Sequence, residues 1–363
     1  MFGTYRTFLA LAVVAQHLLS IPVVGHYAVQ GFFILSGYLM TFIMSGSYGY
    51  SVRGIKSFAV NRFLRLYPSY WVVFVISIAI VSYWGEEQSR IYREYLFVPK
   101  SLSDWIQNIT LVFMNVFPTK VLPRLSPATW ALTIELLFYL LIAIGLSKTK
   151  WLALFWLSMS VMYMAATHML NLSHEYRQSI ILAGSLPFAL GASLYHFREP
   201  LCSMLHEIAR PLPIAILFSL FLMNSLFGAV TKNLSSHELG FYLSFYLNYL
   251  INALLVTSLI RGCPPMVRRK TDQTIGDFSY PIYLMHWQVG FFSSMVIWGE
   301  PIRGLNTKGL VSCALTVMIC FIVSWLVIKY IDSPIQRLRA GIKYKASKRL
   351  NTGFAANAAA PVS

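Results

Sequence analysis

Apolar runs of about twenty residues recur along this chain, at 7–25, 28–46, 69–85, 130–147, 151–168, 179–196, 211–230, 241–260, 279–299 and 309–329. A helix rises about 1.5 Å per residue, so runs of this length match a hydrocarbon core about 30 Å thick. Inside such a core every backbone N–H and C=O needs a partner within the protein, which leaves the α-helix as the form for each apolar run. The chain is 57% hydrophobic and 12% charged, more apolar surface than a soluble protein of 363 residues hides. The expected fold class is therefore all-α: a polytopic integral membrane protein of about ten transmembrane helices. One membrane domain over 1–340 precedes a tail, 341–363, that is basic first and, after Leu350, small, polar and expected to be disordered. Tyr70, Trp71, Tyr83, Trp84, Trp130 and Trp151 sit near run ends, as interface anchors do. The segment 101–117 is shorter and interrupted by polar residues, and reads as a helix lying at the interface.

The lysines and arginines set the orientation. Most lie beside the termini and in the even-numbered loops: Arg6; Arg53, Lys56, Arg62 and Arg65; Lys148 and Lys150; Arg198 and Arg210; Arg261, Arg268, Arg269 and Lys270; and a run from Lys329 to Arg349. Cytoplasmic loops carry such an excess, so both termini are expected in the cytoplasm and the longest loop, 86–129, outside. The net charge of +16 belongs to this pattern, which excludes nucleic acid as the expected partner. Cys202, Cys263, Cys313 and Cys320 show no CxxC and no matching histidine spacing, so neither a metal site nor a disulfide framework is expected. Arg6 followed by apolar residues 8–15 has the outline of a secretory signal, but Gln16 and His17 interrupt that core, and the segment is read as a retained first span.

Four places carry ionisable groups where they are costly. Arg6 and His17 are eleven residues apart, about three helical turns, so both fall on nearly one face, roughly 16 Å apart along the axis. With Arg6 at one surface, His17 lies near mid-bilayer, where an ionisable group is a functional candidate. A neutral imidazole in a dry site can take a proton from a hydroxyl; a hydrogen-bonded structural histidine is the alternative. Arg62 and Arg65, three apart, share one helix face and suit phosphates, although positive-inside charge explains many such arginines. Glu135, in SPATWALTIELLFYLL, lies about 7–8 Å inside the fourth span from the outer face, within reach of a pocket shared with His17. The competing reading pairs it structurally with Arg124. His286, in GDFSYPIYLMHWQ, can pair with the donor or a carboxylate, or simply pack. Ser36, Gly37, Gly184, Ser185, Gly191, Ala192 and Ser193 read as close helix contacts.

Rival classes are a polytopic transporter or glycan-precursor exporter, and a non-catalytic scaffold. The first predicts inverted repeats and interrupted spans, which the chain does not display. The second has no need of two arginines on the same bundle as a mid-depth histidine.

The residues occur in an ordered set of blocks: R-x10-H (Arg6, His17); GHYAVQGFFILSGYL (Gly25–Leu39); R-F-x-R-x-Y-P (Arg62–Pro68); W-x-L-x-x-E-x-x-FY (Trp130–Tyr139); SYPIYLMHW (Ser279–Trp287); and D-S-P (Asp332–Pro334). Together they resemble the acyltransferase-3 family of bacterial integral-membrane O-acyltransferases, from Arg6 to about Arg337. The resemblance implies acetyl-CoA, or another acyl-CoA, as co-substrate reaching in from the cytoplasm. It implies a carbohydrate acceptor, of a surface polysaccharide, lipopolysaccharide or lipid-linked glycan, at the outer face of the bacterial cytoplasmic (inner) membrane, with membrane lipid as surroundings. It implies His17 as general base, Glu135 orienting His17 or the sugar, and Arg6, Arg62 and Arg65 on the donor. Ser36, Gln30, Trp130, Tyr139 and His286 are the implied pocket residues, and no metal is implied. Gln30 stands where many members have an acid and Ala131 where serine is common. The whole reaction is expected of the membrane part, without the extracytoplasmic hydrolase-like domain some members carry.

Overall fold

The computed structural model describes residues 2–233, 238–262, 264 and 266–358. Cys263 lies outside the described residues. All regular structure among the described residues is helical. A helix coincides with each expected span: α1 (Gly3–Leu19), α2 (Val24–Ile43), α3 (Val52–Trp84), α4 (Trp130–Ala143), α5 (Lys150–Met169), α6 (Ser185–His196), α7 (Pro211–Asn233), α8 (Glu238–Arg261), α9 (Arg269–Trp298) and α10 (Thr307–Val327). A final helix, α11 (Ser333–Ala358), packs back on the start of α3.

Six helical stretches among the described residues are long and apolar enough to cross a membrane by length and composition alone: Val24–Tyr48, Val52–Trp84, Lys150–Met169, Pro211–Asn233, Glu238–Arg261 and Thr307–Thr352. The helices that fall short are α1, α4, α6 and α9. Three of them carry ionisable candidates: Arg6 and His17 on α1, Glu135 on α4, His286 on α9. A helix enclosed by others needs no continuous lipid-facing apolar surface, so polar residues are tolerated there when partnered. Indeed α9 is buried at every position from Pro281 to Phe291. The chain is thus a multi-pass, all-α membrane protein.

Backbone contact, not bulky packing, joins the central helices. A Cβ on Gly37 would come within 2.2 Å of the Phe188 carbonyl oxygen, and one on Gly191 within 1.9 Å of the Ile34 carbonyl oxygen, so α2 and α6 cross with their backbones touching. At the start of α1, a Cβ on Gly3 would lie 1.6 Å from the Asp272 carbonyl oxygen. The Asp272 carboxylate accepts from the Gly3 and Thr4 backbone N–H groups at 2.9 and 2.8 Å, capping α1 from α9.

Three boundaries differ from expectation. The first span, expected over 7–25, stops at Leu19, because Ser20 takes a left-handed conformation (φ 56°) and Pro22 follows. The Gln16 side chain instead accepts from the Gly25 and His26 N–H groups at 2.9 and 3.2 Å and caps α2. The third helix begins at Val52 rather than near 69 and runs unbroken through Pro68, so Arg62 and Arg65 sit on regular helix. The interfacial helix expected over 101–117 spans only Leu102–Thr110, from a capping box of Ser101 and Asp104 to a left-handed Leu111. In the tail, α11 continues to Ala358, past the point where composition predicts disorder; residues 359–363 lie outside the described residues.

The 86–129 loop is tied down by its own polar groups. Asn108 donates to the Pro123 carbonyl and accepts from Leu125 N–H, at 2.9 and 3.0 Å. Ser126 donates to the Leu284 carbonyl at 2.6 Å, and Gln288 to the Leu125 carbonyl at 2.9 Å, which seats the loop on α9.

Candidate active site

Two cavities lie along the bundle. The first, about 860 Å3, opens at the end that holds the start of α1 and the final helix; Arg6, Ser36, Arg62, Arg65, Glu135 and Tyr139 are in its wall. The second, about 1130 Å3, lies at the opposite end under the 86–129 loop; His17, His26, Arg93, Trp130, Trp287 and Arg303 are in its wall. The two share no lining residue. They approach each other at the first turn of α4, where Trp130 faces the second and Ala131 the first. They also meet along α9, where Tyr283 lines the first and Trp287 the second.

His17 sits near the end of α1 with its ring stacked on His286, centroids 5.1 Å apart, and against Trp287 at 4.7 Å. Its Nδ1 is 2.8 Å from His286 Nε2. The tautomers follow from the network. His286 Nδ1 is 2.8 Å from the Tyr283 carbonyl oxygen, which only accepts, so Nδ1 carries the proton. In a neutral imidazole Nε2 then accepts, so His17 donates through Nδ1. His17 Nε2 is left with a lone pair, in a ring that lines the second cavity. Its partner is therefore His286, the fully buried histidine behind it, and not Glu135.

Glu135 lines the first cavity. Its two oxygens accept from Ser36 Oγ and Tyr139 OH, each at 3.0 Å. The expected pocket shared by Glu135 and His17 is not formed, and neither is a Glu135–Arg124 pair. Arg124 donates instead to the Pro127 and Thr119 carbonyls, both at 2.8 Å, and burial with the neighbouring Arg93 charge pushes its guanidinium down to about 9.

The three expected donor-site arginines converge. Arg62 donates to Asn61 Oδ1 at 2.9 Å, and Arg65 lies 3.9 Å from Asp332 and over the Tyr280 ring. Among the described residues no carboxylate is within 4.0 Å of the Arg6 or Arg62 guanidinium. A cavity walled by three guanidiniums and one carboxylate is a ready anion site. Of the remaining pocket candidates, Ser36, Tyr139 and Trp130 line a cavity, but Gln30 lines neither. It accepts from Asn248 at 2.6 Å, in a buried polar seam that continues through Asn252 to Tyr5. The seam satisfies the Gln30 Oε1, while its Nε2 is buried without a partner.

Several residues in or beside the cavity walls are not among the site residues expected from the sequence. Asp332, of the D-S-P block, steadies Arg65 and accepts from the Ser69 hydroxyl. Tyr280 and Trp287 flank His286 in the SYPIYLMHW block and were within sight. Arg93 and Arg303 sat among the few cations of the odd-numbered loops, where an unexplained charge was the available signal.

A family model described as an acyltransferase domain matches residues 4–327, a span that includes both cavities and all ten bundle helices. The chain is also similar to the peptidoglycan O-acetyltransferase OatA of Listeria monocytogenes, 31% identical over 141 residues, which are 38% of this chain and 22% of that protein. The similarity thus spans about a fifth of the relative's length. No solved structure matches the chain. Because that family match runs across nearly the whole bundle, the chain belongs to the acyltransferase-3 family.

Proposed function

We propose that this protein moves an acyl group, in the simplest case acetyl, from a coenzyme A thioester to a hydroxyl of a surface or lipid-linked glycan. In this reading it sits in a bacterial cytoplasmic membrane with both termini in the cytoplasm. The thioester binds in the arginine-walled cavity and the glycan in the cavity of His17. One observation carries the reading: the chain of hydrogen bonds from the Tyr283 carbonyl through His286 to His17, which leaves His17 Nε2 unprotonated in the second cavity.

Arg6, Arg62 and Arg65 hold the phosphates by charge-assisted hydrogen bonds. The carboxylate of Glu135, steadied by Ser36 and Tyr139, accepts an amide N–H of the pantetheine arm. The arm passes Tyr283 and the first turn of α4, where the two cavities approach, and brings the thioester carbonyl to His17. The glycan hydroxyl donates to His17 Nε2. As its oxygen attacks the carbonyl carbon, Nε2 takes the proton, the C–O bond forms and the C–S bond breaks. The thiolate then takes that proton from the imidazolium and leaves as the free thiol. While His17 is charged, its Nδ1–H bond to His286 becomes charge-assisted, so His286 favours the transition state over the ground state. The enclosing bundle keeps water from the thioester.

The test uses purified protein in nanodiscs with labelled acetyl-CoA. His17→Ala is expected to lower thioester consumption by a factor of about 10²–10⁴ while coenzyme A binding persists. Undiminished turnover in that variant overturns the assignment of the base.

A further inference from the structure

The cavity of His17 holds cations that the transfer step above does not use. Two guanidiniums lie over the same indole that touches His17: Arg93 at 4.9 Å and Arg303 at 5.3 Å from the Trp287 ring. A cation–π contact occupies the face of a guanidinium and leaves its in-plane N–H donors for another partner. Among the described residues no carboxylate lies within 4.0 Å of either group, and Arg93 Nε is buried without a hydrogen-bond partner. Lys232 adds a third cation to the same wall. The wall has one acid, Glu175, and Lys120 already neutralises it at 2.7 Å. Arg124 differs from the pair on Trp287, because carbonyls satisfy it, which makes it part of the scaffold. Two like charges on one ring, partly removed from water, repel unless a counter-charge joins them.

We infer that the acceptor is anionic: a glycan with a carboxylate or phosphate near the acylated hydroxyl, its anion on Arg93 and Arg303. The anion, so held, lies beside the ring that borders His17 and presents a neighbouring hydroxyl to Nε2. The inference rests on the acyl-transfer reading for its chemistry, but the binding preference is separately measurable.

The experiment uses the full chain in nanodiscs and three matched oligosaccharides: one with a uronic acid, the same sugar with that carboxyl reduced to the alcohol, and the reduced sugar carrying a phosphate. Equilibrium binding of each is measured without donor, and KM for each with acetyl-CoA. At least one anionic form is expected to bind at least tenfold more tightly than the neutral form, and the tighter of the two names the source of the charge. Arg303→Gln is expected to bring that ratio close to one, and Arg303→Lys to retain most of it. Equal binding of all three sugars overturns the inference and leaves the transfer reading standing. An anionic preference without thioester consumption supports the anion site and overturns the transfer reading.

Discussion

A histidine whose ring is held by a second histidine has its tautomer dictated from outside the cavity it serves. Replacing His286 by Asn removes the acceptor for His17 Nδ1 in its present geometry, and turnover is expected to fall at least tenfold with the KM for acetyl-CoA nearly unchanged, as steady-state kinetics will report. At the opposite end the signature reverses. Arg65→Gln removes a charge-assisted contact worth about 2 kcal/mol, so the KM for acetyl-CoA is expected to rise roughly thirtyfold with little change in turnover number. An unchanged KM refutes a donor role for Arg65. At this scale much was legible: Arg6, His17, Arg62, Arg65 and Glu135 all line a cavity. Their grouping was not. Depth arithmetic places Glu135 within reach of a pocket shared with His17, but depth says nothing of which side of a wall a residue faces. Trp130 and Ala131 are consecutive and face different cavities, and Glu135 lies on the Ala131 side. The His17–His286 pair joins residues 269 positions apart, a contact no local pattern announces.

Among the elements, ten apolar runs announced ten helices, since the bilayer leaves a chain little choice. Their ends were harder to read, because caps come from distant groups: Asp272 starts α1, and Gln16 starts α2. The small residues Gly37 and Gly191, which the sequence marks as close helix contacts, do stand where α2 and α6 touch, and the crossing shows their cost to change. Gly191→Ala places a Cβ 1.9 Å from the Ile34 carbonyl oxygen, a backbone atom that cannot turn aside. The helices must part, and destabilisation of about 2–3 kcal/mol is expected. A thermal unfolding scan in detergent checks this; a Tm equal to that of the parent would mean that the two backbones separate freely.

For the molecule as a whole, the same end of the bundle holds the start of α1, the arginine cavity and α11, where Asn61 and Arg339 bind each other. In the proposed orientation, which the lysines and arginines favour, that end faces the cytoplasm. In a background with the native cysteines replaced, Cys at position 120 is expected to react with an impermeant maleimide added outside intact cells. Cys at the exposed position 348 is expected to react only after permeabilisation. The reverse pattern would invert the protein and with it the assignment of donor and acceptor sides.

The absence of any common wall residue between the two chambers has an energetic meaning for the cell. A protein that passed a wet pore from one face to the other would let protons and salt run down the gradients that drive ATP synthesis. Here the Tyr283 hydroxyl donates to the Ala128 carbonyl at 2.8 Å, at the place where the chambers approach. In the proposed transfer only the acyl group needs to cross there, so the reaction requires no open pore from face to face.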